Sequence, residues 1–264
     1  MTEEFLNLWI YSDSKLKDIL GEKIETREKL HHWPLSYVEK VTLKNGISYI
    51  YKSQWWAASV EMQFYQTVNA PFLTQPIYTK RHKNCDIMLF PYLAYPHIDI
   101  TSEDHLNTLV TEISAVIQNI SEMPVFFDIS SPGKLMDLLM DLPGYEITFV
   151  LGWLNGKGRR CWDSTVGNVH GDLTPGNILG EDGVIRYILD WQRPMKAPLL
   201  LENATAAYNA GYKNYKRYKE YWILSVICRF LWFAYAHKRF LTKEGGDVYA
   251  KSILKECAEL IWKQ

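Results

Sequence analysis

The stretch Val169 to Gln192, VHGDLTPGNILGEDGVIRYILDWQ, constrains this 264-residue chain more than any other part of it. Two apolar runs, Asn177-Ile178-Leu179 and Val184 to Leu189, flank Glu181-Asp182-Gly183, a sequence suited to a tight reversal. Folding the chain at that turn pairs Asn177 with about Tyr187 and sets Asp190 opposite about Thr174. Asp190 thereby returns beside the loop holding Asp172 and Asn177, so that oxygen-bearing side chains distant in sequence converge at one hairpin mouth. Pro175 and Gly176 suit a tight loop that exposes Asn177. Taken singly, Asp172 reads as a turn carboxylate, Asn177 as a cap and Asp190 as the end of a strand. The joint spacing, led by His170-Gly171, is what excludes so plain an account.

The stretch has the form H-x-D-x-x-x-x-N followed by a hairpin ending in Asp190-Trp191. Phosphoryl transfer needs an oriented hydroxyl whose proton is accepted late, and metal ions bridging phosphate oxygens. One carboxylate near the hydroxyl and two hard oxygen ligands for Mg²⁺ meet that need. His170 reads as a residue that holds the loop by hydrogen bonding, since Asp172 fills the position of the base.

His170 to Leu179, HGDLTPGNIL, with Ile188-Leu189-Asp190-Trp191 downstream, resembles the aminoglycoside phosphotransferase and choline kinase family. Clear similarity covers about Val166 to Pro198; elsewhere the likeness is one of element order. The resemblance implies an α+β, bilobal, protein-kinase-like fold, with a small β-rich N-lobe over 1–93 and a larger helical C-lobe over 94–264. It also implies Asp172 as catalytic base, Asn177 and Asp190 as Mg²⁺ ligands, and ATP or GTP as phosphate donor. Relatives often carry an aspartate-leucine pair after a Gly-x-Pro, where it buttresses the loop. The corresponding stretch here is Ala197 to Asn203, with Glu202 as the available acid.

The front of the chain reads as β-rich from about Lys23 to Leu93. Val38 to Leu43 and Ile47 to Lys52 are strand-like and joined by Lys44-Asn45-Gly46, where both Asn and Gly tolerate positive φ. Ser53 is an N-cap candidate for a helix over Trp55 to Val68, ended by Asn69-Ala70-Pro71. Ile77 to Thr79 and Asp86 to Leu93 read as further strands. A kinase needs a third-strand lysine for the α- and β-phosphates, steadied by a helix glutamate. Lys52 and Glu61 fit those places. The phosphate-covering loop falls at about Leu30 to Tyr37, reads His31-His32-Trp33-Pro34-Leu35-Ser36, and holds no glycine; Ser36 is its hydrogen-bond donor. The neighbouring His31 and His32 have no evident third partner for a metal. Met88 to Leu93 would form the hinge, with backbone groups around Phe90, Tyr92 and Leu93 binding the adenine edge and Ile50 and Ile188 enclosing its ring.

From Thr101 the pattern turns helical. Ser102 opens a helix to about Ile120 with Leu106, Leu109, Val110, Ile113 and Ile117 on one face, and Pro132 to Met140 begins another. Gly144 marks a turn, and the chain beyond Leu199 is helical with breaks at Gly211 and Gly245-Gly246. Tyr221 to His237 is the most apolar stretch, but Arg229 interrupts it and it is short for a membrane span, so a buried helix is expected.

A net charge of −1 with no long run of one sign argues against nucleic acid or an anionic membrane as the main partner. The widely spaced Cys85, Cys161, Cys228 and Cys257 form no C-x-x-C pair, which argues against a structural metal site. Together with an N-terminus lacking a basic-then-apolar leader, they fit a reducing cytoplasm. With 10 Trp and 17 Tyr the chain has aromatic side chains for a core, or for a wall against a sugar or amine. The expected activity is phosphorylation of a small-molecule hydroxyl of aminoglycoside, sugar or amino-alcohol type. The back of the chain has no dense acidic cluster for a polycation; Tyr208 to Tyr221 is rich in Tyr and Lys instead. The alternative is a nucleotide-binding pseudokinase module acting through a partner. Protein phosphorylation is disfavoured by the lack of an activation segment ending in Ala-Pro-Glu. Neither oligomeric state nor the acceptor is encoded in any motif.

Overall fold

The computed structural model describes residues 8–33, 35–142, 144–240 and 246–263. Its front elements are α1 (Asp13–Leu20), β1 (Ile24–Trp33), β2 (Ser36–Leu43), β3 (Ser48–Trp55), α2 (Glu61–Thr67), β4 (Tyr78–His82) and β5 (Cys85–Pro91). There follow α3 (Glu103–Ile117), β6 (Phe127–Asp128), α4 (Pro132–Met140), α5 (Thr148–Asn155), β7 (Val166–Val169), β8 (Ile178–Glu181) and β9 (Val184–Ile188). The chain ends with β10 (Met195–Pro198), α6 (Leu200–Asn209), α7 (Tyr215–Tyr218), α8 (Glu220–Phe240) and α9 (Gly246–Trp262). The packing divides into two compact units, Met1–Pro96 with Leu179–Gln192, and His97–Ile178 with Arg193–Gln264. The hairpin around β9 thus groups with the front of the chain rather than with residues 94–264.

The first unit is built on an antiparallel sheet of order β1-β2-β3-β5-β4. Tyr11, Leu16, Val41, Tyr51, Ile87 and Leu89 close a core under α1. The β2–β3 turn follows the expected sequence by a different route. Gly46 alone takes a positive φ, 84°, while the Asn45 side chain accepts from the Ile47 amide at 3.0 Å. Three connecting residues with glycine in the left-handed position form a bulged hairpin.

Two front-end expectations change. Ser53 and Trp55 belong to β3, where Ser53 faces Ile87 and Trp55 faces Cys85, so ladder bonding to β5 overrides the local capping signal. The helix is confined to Glu61–Thr67, and Ser59 is the side chain that accepts from the Glu61 amide, at 3.0 Å. The loop expected over Leu30 to Tyr37 is also mostly strand. Trp33 pairs directly with Ser36, leaving Pro34 and Leu35 as the connection, with Pro34 outside the described residues.

In the second unit α3 starts at Ser102, whose hydroxyl accepts from the His105 amide, and its five expected apolar residues are all buried. β10 joins β7 antiparallel and β6 parallel, and Met195 lies opposite Val169. That register brings the chain after Gln192 alongside the loop that follows β7. Helix α8 packs on α6 and α9, with Phe230, Leu231 and Trp232 buried. No helix of the described residues is long and apolar enough to cross a membrane. Of the break at Gly245-Gly246, Gly245 lies outside the described residues and Gly246 opens α9.

Candidate active site

In the first unit the Lys52 ammonium reaches Glu61 Oε2 at 2.5 Å and Asp190 Oδ1 at 2.6 Å. Lys52 comes from β3, Glu61 from the first turn of α2, and Asp190 from the return of the β8–β9 hairpin. The hairpin reverses on Asp182 and Gly183, both at positive φ, as a two-residue turn requires. Trp191 then drops into the core, fully buried, stacked on Phe64 of α2 and donating its indole N–H to the Ile188 carbonyl at 3.0 Å. The Val60 amide donates to the Gln192 carbonyl at 3.1 Å. These ties fix Asp190 beside the start of α2, in a left-handed conformation with φ 66° that is uncommon outside glycine.

Burial alone would lower the Lys52 pKa; the carboxylates of Asp190 and Glu61 outweigh it and hold the ammonium above its ordinary range. Burial pushes Glu61 up to about 7, against the pull of Lys52, with Asp190 adding to the rise. Two acids share one cation, and Glu61 is the more enclosed of the two. Asp190 keeps 28% of its side chain exposed, and Gln192 Nε2 donates to its Oδ1 at 2.5 Å.

The other residues expected at the nucleotide also lie in this unit. Ser36 opens β2 and is buried, Ile188 ends β9 and is buried, and Phe90 lies opposite Ile50 across the β3–β5 ladder. Tyr92 and Leu93 follow β5, with the Tyr92 amide donating to the Ser48 carbonyl at 3.1 Å and the Lys40 ammonium 4.0 Å above its ring. His31 and His32 lie on β1, and no group of His, Cys, Asp and Glu among the described residues is arranged to hold a metal.

In the second unit Asp172 and Asn177 occupy the loop after β7. His170 is buried and its Nδ1 accepts from the Asp172 amide at 3.3 Å. Asn177 closes one turn of 3₁₀ helix, Pro175–Asn177, and its Nδ2 donates to the Asp172 carbonyl at 3.0 Å. Gly171 has φ 82°, and a Cβ there would collide with the Arg193 carbonyl oxygen. Beneath the loop the buried Glu202 accepts the Gly171 amide at 3.2 Å, with further backbone donors at His170 and Leu173. Burial nonetheless raises its carboxyl to about 7.

The Asp172 carboxylate is engaged on both oxygens. Oδ2 pairs with the Arg193 guanidinium, and Oδ1 accepts from Asn209 Nδ2 at 3.4 Å. Neither partner was marked by any sequence pattern; Arg193 directly follows the motif and Asn209 ends α6. The loop borders a cavity of about 200 Å³ lined by Asp172, Arg193, Tyr208, Arg229, Trp232 and Phe233 among others.

No family model matches the chain, and no curated protein matches it in sequence. Solved structures do. Choline kinase LicA from Streptococcus pneumoniae has a TM-score of 0.66 at 14% identity, covering 96% of this chain and 98% of that one. Aminoglycoside phosphotransferase APH(4)-Ia, in ternary complex with ADP and hygromycin B, has a TM-score of 0.59 at 11% identity, covering 94% and 97%. The fold is that of these small-molecule phosphotransferases. A putative fructosamine-3-kinase from Thermobifida fusca shares this kinase-like α+β fold, with a TM-score of 0.53 at 10% identity over 96% and 98% of the two chains. At such identities the likeness reaches the fold and stops there.

Proposed function

We propose that the chain is an ATP- and Mg²⁺-dependent kinase that phosphorylates a hydroxyl of a small molecule. The observation that carries this reading is the Lys52–Glu61–Asp190 ion cluster. A third-strand lysine, a helix glutamate and the aspartate after the hairpin are the parts that phosphoryl transfer requires, and Lys52 and Asp190 lie 138 positions apart in sequence. The structures with bound nucleotide, LicA with AMP and APH(4)-Ia with ADP, support a nucleotide donor. ATP is the favoured donor, with GTP as the alternative.

In this reading Lys52, steadied by Glu61, neutralises the α- and β-phosphates. Ser36, Phe90, Tyr92, Leu93 and Ile188 serve the rest of the nucleotide. Mg²⁺ suits hard oxygen donors. The Asp190 carboxylate is partly exposed, and Asn177 commits its amide nitrogen to Asp172, which leaves its oxygen as the ligating end. When bound, the ion would neutralise charge on the phosphate oxygens. Asp172 orients the acceptor hydroxyl. The hydroxyl oxygen bonds to the γ-phosphorus as the bond to the β–γ bridging oxygen breaks; the proton passes to the Asp172 carboxylate and the nucleoside diphosphate leaves. His170, Glu202 and the left-handed Gly171 fix the loop that carries this carboxylate. A cytoplasmic setting fits ATP as donor and four buried thiols.

A second reading, a pseudokinase that binds nucleotide and acts through a partner, is favoured by one observation: the β1–β2 ladder runs on to the Trp33–Ser36 pair, where a longer phosphate-covering loop was expected. Mg-ATP turnover against a panel of aminoglycosides, sugars, amino alcohols and hydroxy acids separates the two. The kinase reading expects phosphorylated product with at least one acceptor, and a loss of about 10³-fold or more in Asp172→Asn. Tight ATP binding with no product from any acceptor would favour the pseudokinase.

A further inference from the structure

We infer that the cavity beside Asp172 takes an acceptor that carries an anionic group, a carboxylate or a phosphate, as well as its hydroxyl. The word acceptor rests on the kinase reading; the charge preference rests on the cavity itself. Its aromatic lining would on composition suit an amine. Those rings are already served by cations of the protein. The Arg193 guanidinium lies 4.2 Å from the Trp232 ring centre, and that of Arg229 lies 5.2 Å from Tyr208 and 5.8 Å from Phe233. A cationic acceptor would meet two like charges and find these faces taken.

The charges do not cancel. Asp172 offsets Arg193, but Arg229 has no acid within ion-pair distance among the described residues. Glu256 of α9 is engaged by the Tyr208 hydroxyl at 2.9 Å. The Nε groups of both arginines are buried with no hydrogen-bond partner among the described residues. Both guanidinium groups also line the cavity wall, where an oxyanion would meet them in charge-assisted hydrogen bonds. Its binding also offers Arg193 a second anion to serve, drawing it off Asp172 as the hydroxyl arrives there.

The test is titration calorimetry of the full chain with four probes: D-glycerate, glycerol 3-phosphate, glycerol and choline. The inference expects either anion to bind about tenfold or more tightly than glycerol, with choline weakest. Which anion binds better identifies the carboxylate or the phosphate as the source of charge. Arg229→Gln should erase the preference and Arg229→Lys should keep part of it, with far-UV circular dichroism checking that both variants fold. Glycerol or choline binding as well as the anions, or an unchanged preference in a folded Arg229→Gln, overturns the inference. Phosphorylation assays on the same probes separate the two claims. Product from choline alone would sustain the kinase and overturn the anion preference. Anion binding without product from any acceptor would sustain the preference and sink the kinase.

Discussion

Trp191 lies flat on Phe64, ring centroids 4.3 Å apart and planes 8° from parallel. One ring follows Asp190 directly and the other stands three residues beyond Glu61, so a single stack sets the spacing of the two acids that share Lys52. Trp191→Ala should cost about 3–5 kcal/mol, the usual range for emptying an aromatic core site. Urea unfolding measures it. Trp191→Phe should recover most of the loss, and an alanine variant as stable as the parent would show that the stack does not anchor the hairpin.

Removing Lys52 leaves two carboxylates facing each other. Lys52→Met should destabilise by about 3–5 kcal/mol, as breaking a buried ion pair from one side does. Glu61 is already drawn towards its neutral form near pH 7, so Glu61→Gln should be mild. The double variant should be more stable than Lys52→Met alone. A double-mutant cycle by chemical denaturation reads the coupling, and simple additivity would contradict it.

Gly171→Ala asks a residue with a Cβ to take φ 82° against the Arg193 carbonyl. Backbone strain of this kind costs about 1–3 kcal/mol. Because the strained segment carries Asp172, phosphotransfer should fall further than stability does. Unfolding midpoints and turnover measured on the same preparation compare the two. A variant with normal turnover would separate this glycine from the function of the loop.

Glu202 makes stability depend on pH. Its carboxyl titrates near 4.5 when unfolded and near 7 when folded, so between those values the native state holds the extra proton. Stability should therefore fall as pH rises from about 4.5 through 7, by roughly 3 kcal/mol at most for this group. Glu61 pulls in the same direction. Urea midpoints at pH 5 and pH 8 should diverge less in Glu202→Gln than in the parent. Equal slopes would mean that Glu202 stays ionised when buried.

Much of this was legible because it is local. The Asp182-Gly183 turn, the Ser102 cap and the apolar face of α3 each announce themselves within a few residues. The pairing of Lys52 with Glu61 was legible because one ends a strand-like run and the other lies on the helix that follows it. What escaped depends on pairing between distant segments. Ser53 has the side chain of a cap, yet β5 claims its backbone. Trp33 and Ser36 close a tighter connection than glycine-free sequence suggests, because ladder bonds hold both. Arg193 and Arg229 have no motif at all: one meets Asp172 through the β7–β10 register, the other through the packing of α8 on α6.

The hairpin ending in Asp190 belongs to a unit most of whose residues precede it by about a hundred positions. During synthesis, Phe64 must wait for Trp191 to emerge before its partner exists. Until then the front sheet has an open apolar site and Lys52 lacks one of its two counter-charges, and exposed apolar surface of this kind is prone to aggregate. For the same reason a fragment cut at Pro96 is not a miniature of the first unit, and it would regain its missing wall only by adding the segment 179–192 back, fused or in trans.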